Sequence, residues 1–557
     1  MPGTEEREGF VRLGPLRITH DMVLVAIMVI LAFVIRLESI PSKAVLNGDG
    51  IYYTILGEKF FSGDFAGGIS AYWSPLYSIL TGIVEFIGAN REFAGRLVSL
   101  LSGAFVLVPS FLLIRDFYGR RAAILGTLLL IFDPSSIRAS GWVMTESLYT
   151  LVFVGFILTG WRAIQNDSNR SFFGTGVLIG ISYLIKPEAI AYVILLPLVF
   201  LGLSILQRRL VLRKIFTSCL ITFAGFSIFF LPYILFVHAK TGIWTISQKV
   251  TINLPAADFD GELLKILNGE RKTMKDKVWG DDYGSVTLQP QPALARNESV
   301  PSDSPGLLSG IAVLAKKAMS QLIWQIRRYL PAILPIPLLF VAIAGFFSKP
   351  WTRERFFHDA YLASFVLATL TGYAISAVEL RYLFPLIPIA AAWVGIGAID
   401  LSEWAANSAR AIRNGRDLLR PIYFQIGLTV LLVCSFVPLY AAYMRADTID
   451  NVPYEEKEAG LWLKDHSAVP NPTVMSANIT VAFYACAKHI YLPDETLPTI
   501  VAYAKERNTN YLVVSQRRIK DMVSSELSGV DEIAGLREVY RDQRYPDHQV
   551  AIFEVTY

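Results

Sequence analysis

The chain has 557 residues, of which 53% are hydrophobic and only 18% charged, against roughly a quarter charged in soluble globular proteins. That deficit excludes a fully water-solvated chain, and a net charge of +4 leaves no basic footprint for nucleic acid. The three cysteines, Cys219, Cys434 and Cys486, are scattered and form neither a disulfide framework nor a metal set.

The first twenty residues are polar and mixed in charge. The apolar run 21–38 follows, with only a weak cleavage site at Pro41-Ser-Lys-Ala, and reads as an uncleaved signal anchor. Crossing a bilayer takes roughly 17–25 mainly apolar residues. Further spans are expected at 92–114, 122–137, 142–161, 172–185, 188–206, 215–237, 329–347, 358–378, 382–401 and 421–444. With the first, that makes about eleven transmembrane helices. The stretches 122–137 and 172–185 are short and belong inside the bundle. The segment 75–88, headed by Pro75, is shorter still and reads as an interfacial helix.

Lys and Arg in the short loops orient the spans. One side carries Arg115, Arg120 and Arg121, then Arg162 and Arg170, then Arg208, Arg209, Arg213 and Lys214. The same side continues with Lys349, Arg353 and Arg355, and with Arg410, Arg413, Arg416 and Arg420. The short loops of the other side hold only Arg138, Lys186 and Arg381. This predicts a multi-pass protein of the cell (inner) membrane with a cytoplasmic N-terminal segment, 1–20. The membrane domain is 21–444, with external loops 39–91 and 238–328. Within the second loop, 281–306 is rich in Pro, Gln, Ser and Asp and reads as a mobile stretch.

The tail 445–557 reads as a small extracytoplasmic α/β domain. A helix is expected over 454–466, a strand from Val474 to Tyr484, and a helix from Thr499 to Arg507. Tyr511-Leu-Val-Val-Ser515 is a short apolar strand, and Val539-Tyr540 with Gln549 to Val555 is a closing hairpin.

Candidate chemistry gathers on the external side. The first loop reads Asn47-Gly-Asp-Gly-Ile-Tyr-Tyr53, which sets Asp49 between two glycines, with Tyr52 beside it. Gly-Asp-Gly is also an ordinary solvated turn, but an amphipathic helix 51–61 and Tyr72-Trp-Ser-Pro75 follow it. A loop this long and aromatic suits a lipid-linked substrate near the headgroups. Glu146, in Met144-Thr-Glu-Ser, lies near the external end of a span, where an ionisable residue is costly and suggests function. Asp133-Pro134 is similar but is also a helix stop. Lys186-Pro-Glu188, Glu379-Leu-Arg-Tyr382 and Arg138 supply the few external cations. They suit a phosphate or diphosphate, Arg as a fork and Lys as a point charge. The plainer alternative pairs Lys186 with Glu188 and Arg381 with Glu379, with no ligand.

The order of these motifs is informative: an external Asp, Ser74-Pro-Leu-Tyr, Arg96-Leu-Val-Ser, Phe117-Tyr-Gly-Arg120, Thr145-Glu-Ser-Leu, Lys186-Pro-Glu, and Arg381-Tyr-Leu-Phe-Pro-Leu-Ile-Pro388. Over roughly 20–400 the chain resembles the C-type, polyprenyl-phosphate-dependent glycosyltransferases, among them protein O-mannosyltransferases and the aminoarabinose transferase acting on lipid A. The resemblance implies that Asp49 is the catalytic carboxylate and that Glu146 matches a second external acid. It implies a polyprenyl-phosphate sugar donor and a lipid, glycan or protein acceptor, with membrane lipids around it and Lys186 and Arg381 at the departing phosphate. Many members carry Asp-Glu where this chain has Asp49-Gly50, which leaves open whether a divalent cation takes part. A lipid-linked glycan flippase and a non-catalytic scaffold are the competing readings. The first calls for mid-bilayer charges or breaks in paired halves, whereas these ionisable groups lie at span ends. The second gives no reason for their clustering.

Overall fold

The computed structural model describes residues 10–13, 16–38, 40, 45–207, 211–242, 244, 246–247, 307–348, 350–375, 379–412, 420–446, 452–492, 497–517, 532–533, 535–542, 544–545 and 548–557. These form two compact units. The first comprises Met1–Ile40, Arg96–Asn268 and Pro301–Tyr443; the second comprises Pro41–Gly95, Gly269–Val300 and Met444–Tyr557, each through its described residues. The expected mobile stretch 281–306 lies outside them.

The first unit is helical. Among the described residues, seven helical stretches are long and apolar enough to cross a membrane, or eight if one bent pair is a single span. Each of the eleven expected spans overlaps helix among the described residues. Two of them, 92–114 and 122–137, share the stretch Arg91–Phe132. Its continuous run Leu107–Phe132 is broken at Gly119, where φ is 86° and ψ 171°. That conformation strains any residue with a Cβ, and it kinks the helix at Phe117-Tyr-Gly-Arg120, between the two expected spans. Two others correspond to the 15-residue helix Asn169–Tyr183 and to Arg353–Ile375. The expected span 329–347 is bent: Ala318–Ile333 and Ile336–Phe346 meet at 108°. Leu334 is extended, with φ −127° and ψ 99°, as the residue before Pro335 prefers. A short antiparallel hairpin, β1 (Phe10–Leu13) and β2 (Leu16–Thr19), precedes the first helix His20–Glu38 and was not expected.

The second unit joins the first loop to the tail. The tail sheet contains β3 (Thr473–Ser476), β4 (Lys488–Tyr491), β5 (Tyr511–Ser515), β6 (Glu532–Ile533), β7 (Leu536–Arg541) and β8 (Val550–Val555), in the order β4-β3-β5-β8-β7-β6. β3 runs parallel to β4 and β5, and the remaining pairs are antiparallel. Alternate strand residues serve opposite faces. Val474, Val513 and Ile552 pack with Ala459, Leu463 and Val481. Met475, Leu512 and Phe553 pack with Ile500 and Ala504. β5 is buried along its whole length, so its sequence is continuously apolar rather than alternating. Helices Tyr454–His466 and Leu497–Glu506, β5 and the β7–β8 pairing agree with expectation. The expected strand 474–484 stops at Ser476. Ser476 Oγ donates to the Asn478 carbonyl, Asn478 Oδ1 accepts the Thr480 amide, and helix Thr480–Tyr484 follows. These local side-chain bonds compete with the ladder.

In the first loop, helix Gly48–Phe61 crosses helix Pro75–Phe86 at two glycines. A Cβ on Gly82 would sit 2.3 Å from the Gly57 carbonyl oxygen, and one on Gly57 2.6 Å from that of Ser78. Backbone contact at this crossing seats the Tyr72-Trp-Ser-Pro75 turn against the Asp49 helix.

Candidate active site

In the first unit, Glu146 opens helix Glu146–Asn166 and is 1% exposed. The turn before it is tied down by Arg96, which donates to the Gly141 carbonyl at 2.6 Å, and by Ser99 Oγ, which donates to that of Met144 at 3.1 Å. Lys186, 6% exposed, lies at the turn before Pro187–Ala189, and its Nζ donates to Glu146 Oε1 at 3.2 Å. Arg381 sits on the 3-10 turn Leu380–Leu386. Its Nε is 3.9 Å from the same Glu146 oxygen and donates to Glu379 Oε2 at 2.5 Å. Tyr382 lies between the two cations, its ring 4.9 Å from Lys186 Nζ and 5.5 Å from the Arg381 guanidinium carbon. Tyr382 stacks on Tyr373 at 5.0 Å, and Tyr373 Oη donates to Glu188 Oε1 at 2.8 Å.

Five predicted residues therefore come together: Glu146, Lys186, Glu188, Arg381 and Tyr382. Lys186 pairs with Glu146, not with its near neighbour Glu188. Arg138 is held differently, its guanidinium over the rings of Trp142 and Tyr443 at 5.1 and 4.7 Å. Asp133 caps the short helix Pro134–Gly141 by accepting the Ser136 amide, in keeping with a helix-stop role. Sequence reasoning missed Arg36. It is fully buried and donates to Ser140 Oγ and to the Leu130 carbonyl. A small, mostly apolar cavity of about 20 Å³, walled by residues such as Val106, Leu107 and Phe384, also touches Arg36, Ser136, Glu146, Ser147 and Thr150. Glu146 Oε2, buried and without a hydrogen-bond partner, belongs to its lining.

In the second unit, Asp49 lies in the first turn of helix Gly48–Phe61. The side chain of Asn47 caps this helix by accepting the Gly50 amide at 2.8 Å. Unsatisfied amides and the helix dipole favour a negative charge there. Trp73 Nε1 donates to Asp49 Oδ1 at 3.3 Å, and the Trp73 ring stacks on Tyr52 at 4.4 Å. Ser70 Oγ accepts the amides of Tyr72 and Trp73, which fixes the indole. The hydroxyls of Tyr52 and Tyr491 are 2.9 Å apart. Burial, then Tyr491 and Asp49, push the Tyr52 phenol well above its ordinary range. Asp49 is half-buried. Tyr491 was not singled out beforehand, and Trp73 only as part of the aromatic stretch Tyr72-Trp-Ser-Pro75, since neither contact follows from local spacing. Among the described residues no three His, Cys, Asp or Glu side chains gather as a metal set.

Residues 73–234 match the family described as dolichyl-phosphate-mannose-protein mannosyltransferase. No curated protein sequence matches the chain. Among solved structures, the apo oligosaccharyltransferase of Archaeoglobus fulgidus is similar at 14% identity and TM-score 0.57, over 89% of this chain and 69% of that one. The archaeal oligosaccharyltransferase AglB from A. fulgidus, in complex with an inhibitory peptide and a dolichol-phosphate, gives 14% and 0.51 over 88% and 69%. ArnT from Cupriavidus metallidurans bound to undecaprenyl phosphate gives 14% and 0.53 over 95% and 98%. The fold is that of the C-type glycosyltransferases. The family match, over residues 73–234, points the same way.

Proposed function

We propose that this protein transfers a sugar from a polyprenyl-phosphate carrier to an acceptor hydroxyl on the non-cytoplasmic face of the cell membrane. The observation that carries the donor assignment is the convergence of Lys186 and Arg381 on one buried carboxylate oxygen. The fold supports it, being shared with structures that hold dolichol-phosphate and undecaprenyl phosphate. Cations already desolvated and aimed act strongly on charge that develops during reaction.

Asp49 is the base. It takes the acceptor hydroxyl proton as the oxygen attacks the anomeric carbon in line. The bond from that carbon to the phosphate oxygen breaks, and its electron pair leaves with the polyprenyl phosphate. The leaving group is already a stable anion, so one carboxylate suffices, and a single displacement inverts the centre. A retaining route would need a second, nucleophilic carboxylate close by. Lys186 and Arg381 receive the phosphate charge, and Glu146 orients both. Tyr382 and Glu188 brace them, and Arg138, held by two aromatic faces, is given no part in the transfer.

Binding of undecaprenyl phosphate to the purified protein tests this. The protein should bind it in preference to undecaprenol, which lacks only the phosphate. Arg381→Lys loses the planar fork and should weaken binding about tenfold, or ~1.4 kcal/mol. Lys186→Ala should do likewise in protein shown to be folded. Equal affinity for the phosphate and the alcohol would reject the donor class. Wild-type affinity in both variants would reject these two residues.

A further inference from the structure

The tail domain holds both flanks of the Asp49 turn. On the N-terminal flank, the Leu46 amide donates to Tyr484 Oη at 3.1 Å. Tyr484 Oη in turn donates to Glu92 Oε2 at 3.3 Å. Lys457 Nζ donates to the same Glu92 oxygen at 2.9 Å and lies 4.8 Å from the Tyr484 ring centroid. On the C-terminal flank, Tyr52 Oη meets Tyr491 Oη at 2.9 Å. Tyr491 packs edge-on against buried His489, 4.5 Å between ring centroids, and His489 Nε2 bonds the Ser476 carbonyl of the adjacent strand. Leu46 and Tyr52 thus bracket Asp49, and each is bonded to a tail tyrosine.

The second contact leads to the carboxylate. Tyr52 lies three residues beyond Asp49, on the same side of the helix. Its ring stacks on Trp73, and Trp73 Nε1 donates to Asp49 Oδ1. A shift of Tyr491 would therefore reach Asp49 through two packed rings and one hydrogen bond. An acceptor-binding module alone gives no reason for two tail hydroxyls to be spent on this turn. A tail that only covered the site would not need to grip it on both flanks.

We infer that the tail domain positions the proposed base, with Tyr491 and Tyr484 as positioning residues that set the angle of the Asp49 helix. The inference rests on the reading of Asp49 as the base. A small misplacement of a reacting group costs far more in turnover than in binding.

Tyr491→Phe removes one oxygen and keeps the ring. With the reconstituted full chain and a polyprenyl-phosphate-linked sugar, kcat should fall about tenfold, while KM for donor and acceptor stays within about twofold. Tyr52→Phe should match it, and the double variant should add little, because either change deletes the same bond. Independently of turnover, amide exchange of the peptide 46–56 should rise in Tyr491→Phe and in Tyr484→Phe. Unchanged kcat and unchanged exchange in Tyr491→Phe would overturn the positioning role. A raised KM at constant kcat would do so too, and would assign the tail to substrate binding. If Asp49→Asn keeps wild-type turnover, the base assignment fails instead, and exchange over 46–56 alone then decides whether the tail holds this turn.

Discussion

A carboxylate serves as a base when its lone pair is held where the proton is released, and Asp49 is held from two directions. The helix start favours its charge, and Trp73 Nε1 fixes one oxygen. Asp49→Asn keeps the shape and removes the proton acceptor. Turnover with saturating donor should fall by about 10²–10⁴-fold, with binding of undecaprenyl phosphate little changed. A rate within about threefold of wild type, well under that range, would remove Asp49 from the mechanism. Glu146 is differently placed. It is buried against Lys186, and breaking such a pair leaves an uncompensated charge costing about 3–5 kcal/mol. Loss of activity in Glu146→Gln would therefore have to be separated from loss of fold before it spoke to chemistry.

Among the elements, β4 carries the tail's contact to Tyr52 and also a buried histidine. Burial pushes His489 down to about 4, against backbone carbonyl bonds to Ser476 and Asn478 that pull it up. Its folded pKa lies below the usual 6.5, so the unfolded strand binds more protons between pH 4 and 6.5. The stabilisation is then complete above about 6.5 and is lost as the pH falls toward 4, at up to about 1.4 kcal/mol per unit. Exchange protection of the β3 amides, corrected for intrinsic chemistry, should fall over this window. In His489→Gln, which does not titrate, the dependence should flatten. The same slope in both proteins would show that His489 is not its source. β4 itself was not legible in the sequence. The turn Ser476-Ala-Asn478 broke what looked like one strand, and Lys488-His-Ile-Tyr491 is too short and polar to signal a strand. β5, continuously apolar because both faces are covered, was legible to the residue.

For the whole molecule, most spans were legible because seven helical stretches among the described residues are long and apolar, while the short ones at 122–137 and 172–185 were read from their place between charged loops. The bend at Leu334-Pro335 was not, since an apolar run gives no angle. The cluster at Glu146 was half legible. Single ionisable residues at span ends stood out, but the pairing of Lys186 with Glu146 over Glu188 depends on how helices pack. The union of first loop and tail was not legible, because its bonds join residues 438 and 439 positions apart. That union now bears on topology. Two segments that fold into one unit lie on one side of a membrane, so an even number of crossings must separate them. Ten of the eleven expected spans lie between the first loop and the tail, which satisfies the condition, and a single missed or spurious helix would not. The excess of Lys and Arg in the other set of loops predicts that the loop and the tail lie outside. A reporter active only outside the cytoplasm should be active when fused after Tyr557 and inactive when fused in the 115–121 turn. Activity at the turn with none at Tyr557 would reverse the orientation, and the same result at both sites would break the even count.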